Sequence, residues 1–148
     1  RFSERIKDNY SLMLNIKKNI SPIFVENIAI SDVKKESYLN LDLGFGSAFI
    51  EEKKNENSIK IQCDTLESIV KKYSIKKISG LKIDIEGHED KALFPFFNNM
   101  NSDLYPKNIL IEYTSNSLWK HDIILHLKQL GYIEKFRTKA NMALQFNN

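Results

Sequence analysis

The sequence has few of the residues that crosslink a small fold or interrupt it with turns. It contains one cysteine, Cys63, with three prolines and five glycines in 148 residues. A single cysteine excludes an internal disulfide and a zinc site built from several thiolates. We therefore expect a reducing, cytoplasmic setting for the chain.

A strong excess of one charge and a long apolar run are also missing. The 22 Lys and Arg residues stand against 19 Asp and Glu residues, which leaves a net charge of +3. That excess is too small to indicate nucleic-acid binding by itself. No apolar run approaches the roughly 18 residues that a membrane helix requires. We expect neither nucleic acid nor a membrane as a partner.

The composition is that of a globular protein: 42% of the residues are hydrophobic and 28% are charged. This balance excludes an intrinsically disordered chain. The length suits one domain, and we predict a single, partial domain over residues 1–148.

Hydrophobic periodicity and turn residues predict the elements of the first half. Gly44-Phe45-Gly46 is predicted to be the turn of a hairpin, and Asp64 the cap of a helix that carries Glu67 three residues later. The predicted elements are a helix over 2–19, strands over 23–31, 37–41, 47–50 and 59–63, and a helix over 65–73.

The second half alternates strands and helices more regularly. Pro95 is expected to kink or restart the helix in which it lies. The predicted elements are a strand over 81–85, a helix from residue 88 to 94, a strand over 109–113, a helix over 118–130, and a closing antiparallel pair over 132–136 and 142–146. This order predicts an α/β fold whose sheet is parallel in its centre.

The segment from Leu81 to Asp90 places several ionisable groups at the carboxyl end of a predicted central strand. Open α/β sheets bind their ligands at that end. On an extended chain the side chains of Asp84 and Glu86 point the same way, roughly 7 Å apart. Gly87 allows a sharp turn, after which His88 begins the next helix.

Structural explanations compete with functional ones for these residues. Glu89 and Asp90 in a first helical turn stabilise the helix dipole by some tenths of a kcal/mol. Asp84, between two apolar residues, needs a partner: a structural hydrogen bond, a metal ion or a substrate.

The run Lys82-Ile83-Asp84-Ile85-Glu86-Gly87-His88-Glu89 resembles the hallmark motif of the FkbM-type family of S-adenosylmethionine-dependent methyltransferases. Weaker similarities to the same family occur in the family's order, at residues 1–19, Ala29–Asp32, Asp64–Glu67, Ile109–Glu112 and Leu127–Tyr132. The resemblance implies a Rossmann-like methyltransferase sheet, with a parallel centre and an antiparallel C-terminal hairpin.

The resemblance also implies an activity and roles for individual residues. The activity is O-methylation of a hydroxyl of a glycan or natural product, with S-adenosylmethionine as the methyl donor. Ile30, Ser31 and Asp32 would lie beside the adenine of the cofactor. The residues facing the methyl group and the acceptor would be Asp84, Glu86 and His88. His88 is a candidate general base. The two carboxylates would orient the hydroxyl or bind a divalent cation.

The sequence departs from the family by lacking a glycine-containing loop after a first strand and an acidic residue after a second. With Arg1 rather than Met as the first residue, we expect a portion truncated at the N-terminus. In the family's usual sheet, the two missing strands lie between the third and the fourth. Their loss would expose two unpaired edges. The isolated chain would then be poorly stable, self-associated or rearranged, and inactive.

Two other functions remain open at this point. An apolar strand that ends in Asp-x-Glu also resembles the metal-binding motif of nucleotide-sugar glycosyltransferases. Alternatively, the chain is a non-catalytic binding module with half of a methyltransferase fold. Among other polar residues, Glu112 is a candidate to support the site, whereas the spacing of His121 and His126 makes a poor metal pair.

Overall fold

The computed structural model describes residues 2–16, 21–41 and 49–147 of the chain, which form four α-helices and eight β-strands. The helices are α1 (Phe2–Ile16), α2 (Leu66–Lys72), α3 (Glu89–Asn99) and α4 (Ile123–Gln129). The strands are β1 (Ala29–Ile30), β2 (Lys35–Asn40), β3 (Phe49–Glu51), β4 (Ser58–Asp64), β5 (Leu81–Ile83), β6 (Asn108–Glu112), β7 (Tyr132–Arg137) and β8 (Asn141–Phe146). The predicted α/β class is confirmed.

The first sheet has the strand order β1-β4-β2-β3. β1 runs parallel to β4, and β2 runs antiparallel to both β3 and β4. The predicted pairing of β2 with β3 is therefore confirmed, although the predicted turn at Gly44-Phe45-Gly46 lies outside the described residues. The prediction of a buried strand over 23–31 is wrong. Only Ala29 and Ile30 find partners on β4, and the side chains of Ile23 and Phe24 are exposed.

The second sheet has the strand order β5-β6-β8-β7. β5 and β6 are parallel, whereas β8 is antiparallel to both of its neighbours. The predicted closing pair of antiparallel strands is confirmed, with an irregularity between Glu134 and Phe136. Since β1 and β5 end their respective sheets, each leaves one edge without a partner strand among the described residues.

The hydrophobic core lies between the second sheet and helices α2, α3 and α4. Alternation along the strands directs one set of side chains into it: Ile83, Ile109, Ile111, Met142 and Leu144. From the helices come Val70, Leu93, Phe96, Phe97, Ile123 and Leu127. Each fully buried side chain of this size contributes about 1.5–3 kcal/mol relative to an exposed one. The other face of the sheet stays partly open, and Phe136 there is exposed.

Three helix predictions need correction. Helix α3 continues through Pro95 to Asn99. The burial of its apolar face outweighs the roughly 3 kcal/mol that an interior proline costs. Thr65, and not Asp64, caps α2 by accepting a hydrogen bond from Ser68 N.

The helix predicted over 118–130 is divided. A 3₁₀ turn covers Asn116–Leu118, and α4 begins only after Asp122, whose side chain accepts a hydrogen bond from Leu125 N. In the described part of the chain, no helix combines the length and apolarity needed to cross a membrane.

Candidate functional site

The carboxyl end of β5 is where the sequence motif turns away from the sheet. The strand ends at Ile83, two residues earlier than predicted. Glu86 and Gly87 then adopt positive φ angles of 55° and 86°. Since the chain is not extended here, the prediction that Asp84 and Glu86 project in the same direction from one strand is wrong. The turn delivers His88 to the N-cap of α3, as the sequence predicted.

Asp84 finds its partner two residues earlier in the chain, on β5. Lys82 Nζ lies 2.8 Å from Asp84 Oδ2, and both side chains are substantially exposed. An exposed ion pair contributes no more than about 1 kcal/mol. The partner that the sequence analysis required for Asp84 is therefore Lys82, and the exposed carboxylate is accessible to a ligand.

Glu86 lies in an acidic environment. Partial burial, and then the nearby charges of Asp84, Glu112 and Glu89, raise the pKa of the Glu86 carboxyl group. No Lys or Arg among the described residues forms an ion pair with it. The left-handed backbone of a non-glycine residue costs a further 1–2 kcal/mol or so. Such a combination is typical of functional sites.

His88 joins the two parts of the fold. Its Nε2 atom lies 2.9 Å from Ser31 Oγ, just beyond the end of β1. Ser31 in turn donates a hydrogen bond to Asp32 Oδ1 at 2.9 Å. Burial lowers the pKa of His88 to about 4, so the imidazole is neutral at pH 7.

The three residues predicted to surround an adenine lie in different surroundings. Ile30 lines an apolar cleft of about 230 Å³, together with Ile83, Asp84 and Ile85. Asp32 instead borders a separate groove of about 470 Å³ along α3. Ser31 is fully buried, and its hydroxyl is engaged by His88 and Asp32.

Glu89 and Asp90 have a more specific structural role than stabilising a helix dipole. Glu89 is fully buried and accepts hydrogen bonds from Ile85 N and Trp119 Nε1, both at 2.8 Å. Asp90 Oδ2 accepts from the backbone amides of Lys120 and His121. These bonds hold the segment before α4 against the start of α3. They explain why α4 begins at Ile123 and not at residue 118 as predicted.

Glu112 ends β6 beside this acidic group, with 7% of its surface exposed. Its Oε1 atom accepts hydrogen bonds from the backbone amide and the hydroxyl of Thr114. Its Oε2 atom is buried without a hydrogen-bond partner, and so is Oδ1 of Asn141 on β8. Sequence reasoning included Glu112 only as a supporting residue and missed Asn141 entirely. Asn141 comes to lie opposite Glu112 only through the pairing of β6 with β8, which the local sequence does not show.

The structure therefore forms two groups from the predicted site residues. Asp84 and Glu86 lie near Glu112, whereas His88 binds Ser31 and, through it, Asp32. The described residues contain no group of three or more His, Cys, Asp or Glu side chains arranged to hold a metal ion.

Comparison with protein families agrees with the motif at β5. The family described as the methyltransferase FkbM domain matches residues 4–134, most of the chain. The chain therefore belongs to the FkbM methyltransferase family, and the resemblance identified from its sequence is confirmed. No curated protein sequence and no solved structure matches it significantly.

Proposed function

We propose that this chain is part of an S-adenosylmethionine-dependent O-methyltransferase that acts on a hydroxyl group of a glycan or natural product. The observation that supports this most directly is the family motif at the carboxyl end of β5. There, Asp84 is open to a ligand and Glu86 has an elevated pKa. The family suggests the cofactor, and the acidic groups suggest which residues orient and deprotonate the acceptor hydroxyl.

The strand order supports a Rossmann-like sheet that is interrupted in its middle. The order β5-β6-β8-β7 is the one that the family's sheet uses for its fourth, fifth, seventh and sixth strands. β1 would be the third strand, and it borders the same apolar cleft as β5. We propose that two further parallel strands, with the glycine-containing loop, complete the sheet between β1 and β5.

The described residues fit one part of the cofactor. Ile30 and Ile85 offer apolar side chains that suit a purine ring, while the added strands would themselves take up part of the 230 Å³ cleft that these residues line. The described residues include no glycine-rich loop that could bind the methionine part of the cofactor. We therefore infer that the chain alone is inactive. When bound, S-adenosylmethionine supplies an electrophilic methyl group.

The acidic residues would orient and deprotonate the acceptor. S-adenosylmethionine, if bound, would supply its methyl group to the acceptor oxygen, and a carboxylate of this chain would hold that oxygen and take its proton. Glu86 suits this step because its raised pKa makes it a stronger base than an ordinary glutamate. Asp84 would orient the hydroxyl. For His88, burial and the bond to Ser31 favour a positioning role over that of a base.

Binding of S-adenosylhomocysteine tests the proposal. Calorimetry would compare this chain with the chain extended by any coding sequence that precedes Arg1 in its gene. We expect binding and methyl transfer only in the extended form. Asp84→Asn should reduce kcat there by at least tenfold, whereas the exposed control Asp103→Asn should not. Full activity of the Asp84→Asn variant would contradict the assigned role.

The non-catalytic alternative rests on the absence of a glycine-rich loop from the described residues. In that case, the extended chain would also fail to bind S-adenosylhomocysteine. A metal-dependent glycosyltransferase finds no support in the arrangement of the described carboxylates.

The open edges of β1 and β5 also support a proposal about self-association. We expect the isolated chain to form oligomers that dissociate when the sheet is completed, which light scattering would measure. A cytoplasmic location stays a prediction.

A further inference from the structure

Two buried oxygen atoms at the carboxyl end of β6 lack hydrogen-bond donors. They are Oε2 of Glu112 and Oδ1 of Asn141. A buried acceptor left without a partner carries an uncompensated desolvation penalty, which is larger if the group is charged. Native structures retain few such atoms, and each calls for an explanation.

The strand register places these two side chains next to each other. Glu112 and Asn141 are directly opposed on β6 and β8, where Cβ atoms are typically about 5 Å apart. Ile83 pairs with Ile111 on β5 and β6, so Asp84 follows one step beyond, next to Glu112. Together these three side chains form a polar row, in which Glu112 and Asn141 pair across β6 and β8 and Asp84 lies just beyond the end of β5.

This row is rich in acceptors and negative charge. Glu112 Oε1 is already occupied by Thr114, which leaves Oε2 for another donor. Glu86 lies close enough for its own charge to interact with Asp84 and Glu112. The exposed ammonium group of Lys82 pairs with Asp84.

We propose that Glu112 and Asn141, with Asp84 and Glu86 alongside, form a subsite for a primary ammonium group of a bound ligand. An ammonium group brings several N–H donors and the positive charge that a buried carboxylate requires. A neutral hydroxyl would supply a donor without the charge. The inference deepens the proposed function, because the ammonium group would belong to the acceptor or to the cofactor.

The two unpartnered oxygen atoms also have a purely structural explanation, which predicts the opposite effect of a Glu112 substitution on stability. If the NH₂ group of Asn141 faced Glu112 in solution, it would donate a hydrogen bond to the Glu112 carboxylate, and no ligand would be needed. Glu112→Gln distinguishes the two cases. With an unpartnered Asn141 Oδ1, the new amide becomes its donor and the melting temperature should rise by about 3 °C or more. A lower melting temperature would overturn the proposal. The exposed control Glu56→Gln should leave it unchanged.

Small probes test recognition without any cofactor. The chain is titrated with ethylammonium, which has charge and donors, with tetramethylammonium, which has charge alone, and with ethylene glycol, which has donors alone. NMR of the Asn141 side-chain amide reports binding. We expect ethylammonium to bind at least tenfold more tightly than the other two, and Glu112→Gln to remove that preference. Asn141→Asp should strengthen ethylammonium binding by adding a charge. Equal responses to the three probes, or wild-type binding by Glu112→Gln, would overturn the proposal.

Competition in the extended chain identifies the source of the ammonium group. Displacement of ethylammonium by S-adenosylhomocysteine but not by methylthioadenosine assigns it to the cofactor, and no displacement by either assigns it to the acceptor. Both results retain the subsite. If methyl transfer is never detected but ethylammonium still binds, the proposed function fails and the subsite stands.

Discussion

The imidazole of His88 and the hydroxyl of Ser31 lie 2.9 Å apart and connect the start of α3 to the end of β1. Because Ser31 donates its proton to Asp32, it can only accept from His88. The imidazole therefore carries its proton on Nε2. This chain of hydrogen bonds fixes the loop that bears Glu86 relative to the first sheet.

The buried state of His88 predicts a loss of stability in mild acid. Its pKa is about 4 in the folded chain, against an ordinary value of 6.5. Below pH 6.5 the unfolded chain binds a proton that the folded chain does not, so the free energy of unfolding falls as the pH drops towards 4. The total loss is up to about 3 kcal/mol. Urea unfolding at a series of pH values measures it.

The variant His88→Gln should flatten this dependence between pH 6.5 and 4.5, since it cannot titrate. The exposed control His121→Gln should retain it. His126, whose pKa is also lowered by burial, contributes equally to both variants. An unchanged slope in His88→Gln would show that His88 is solvated in solution.

Glu89 predicts a stability effect that fluorescence can follow. Glu89→Gln keeps one acceptor oxygen but turns an NH₂ group towards a donor, either Ile85 N or Trp119 Nε1. We expect a loss of about 2 kcal/mol in unfolding free energy. Trp119 is the single tryptophan, so its emission reports the local change. Wild-type stability and emission would contradict the buried hydrogen bonds.

Replacement of Gly87 by alanine should lower the free energy of unfolding through two separable costs, one steric and one from the backbone. Its φ is 86°, and an added Cβ would lie 2.7 Å from Leu118 Cδ1. Gly87→Ala should lose about 1–2 kcal/mol from the backbone alone, with a further steric loss. Leu118→Ala should restore only part of the steric loss, because the Cβ atom of residue 118 stays 3.1 Å from the added Cβ. Gly131→Ala, with φ of 102° and no contact below 3.6 Å, is the control for the backbone term.

The ionised carboxylate of Glu86, which the proposed function requires, should lower the stability of the fold. Its raised pKa means that the folded chain binds the proton more strongly than the unfolded chain, so ionisation of Glu86 destabilises the fold at neutral pH. Glu86→Gln should raise the melting temperature at pH 7, and the advantage should shrink as the pH falls through the raised pKa and be gone below the ordinary value of 4.5. Thermal unfolding at pH 7 and pH 4 checks this. A lower melting temperature at pH 7 would show that the carboxylate is stabilised by a partner.

Local patterns predicted the second sheet well. The short apolar runs at β5 and β6 and the alternation in β7 and β8 contain their own strand signals, and the structure confirms them. The run from Ile23 was misleading because an apolar segment forms a strand only where a neighbour supplies hydrogen bonds. Only two of its residues have such a neighbour in β4.

The family, the α/β class and the acidic turn after β5 can all be recognised in the amino-acid sequence, because a local motif and short-range periodicity encode them. Three contacts appear only in the folded chain: His88 with Ser31, Glu89 with Trp119, and Glu112 opposite Asn141. These partners are separated by 29 or more residues in the sequence. Their contacts depend on strand register and helix packing, which no local pattern of residues specifies.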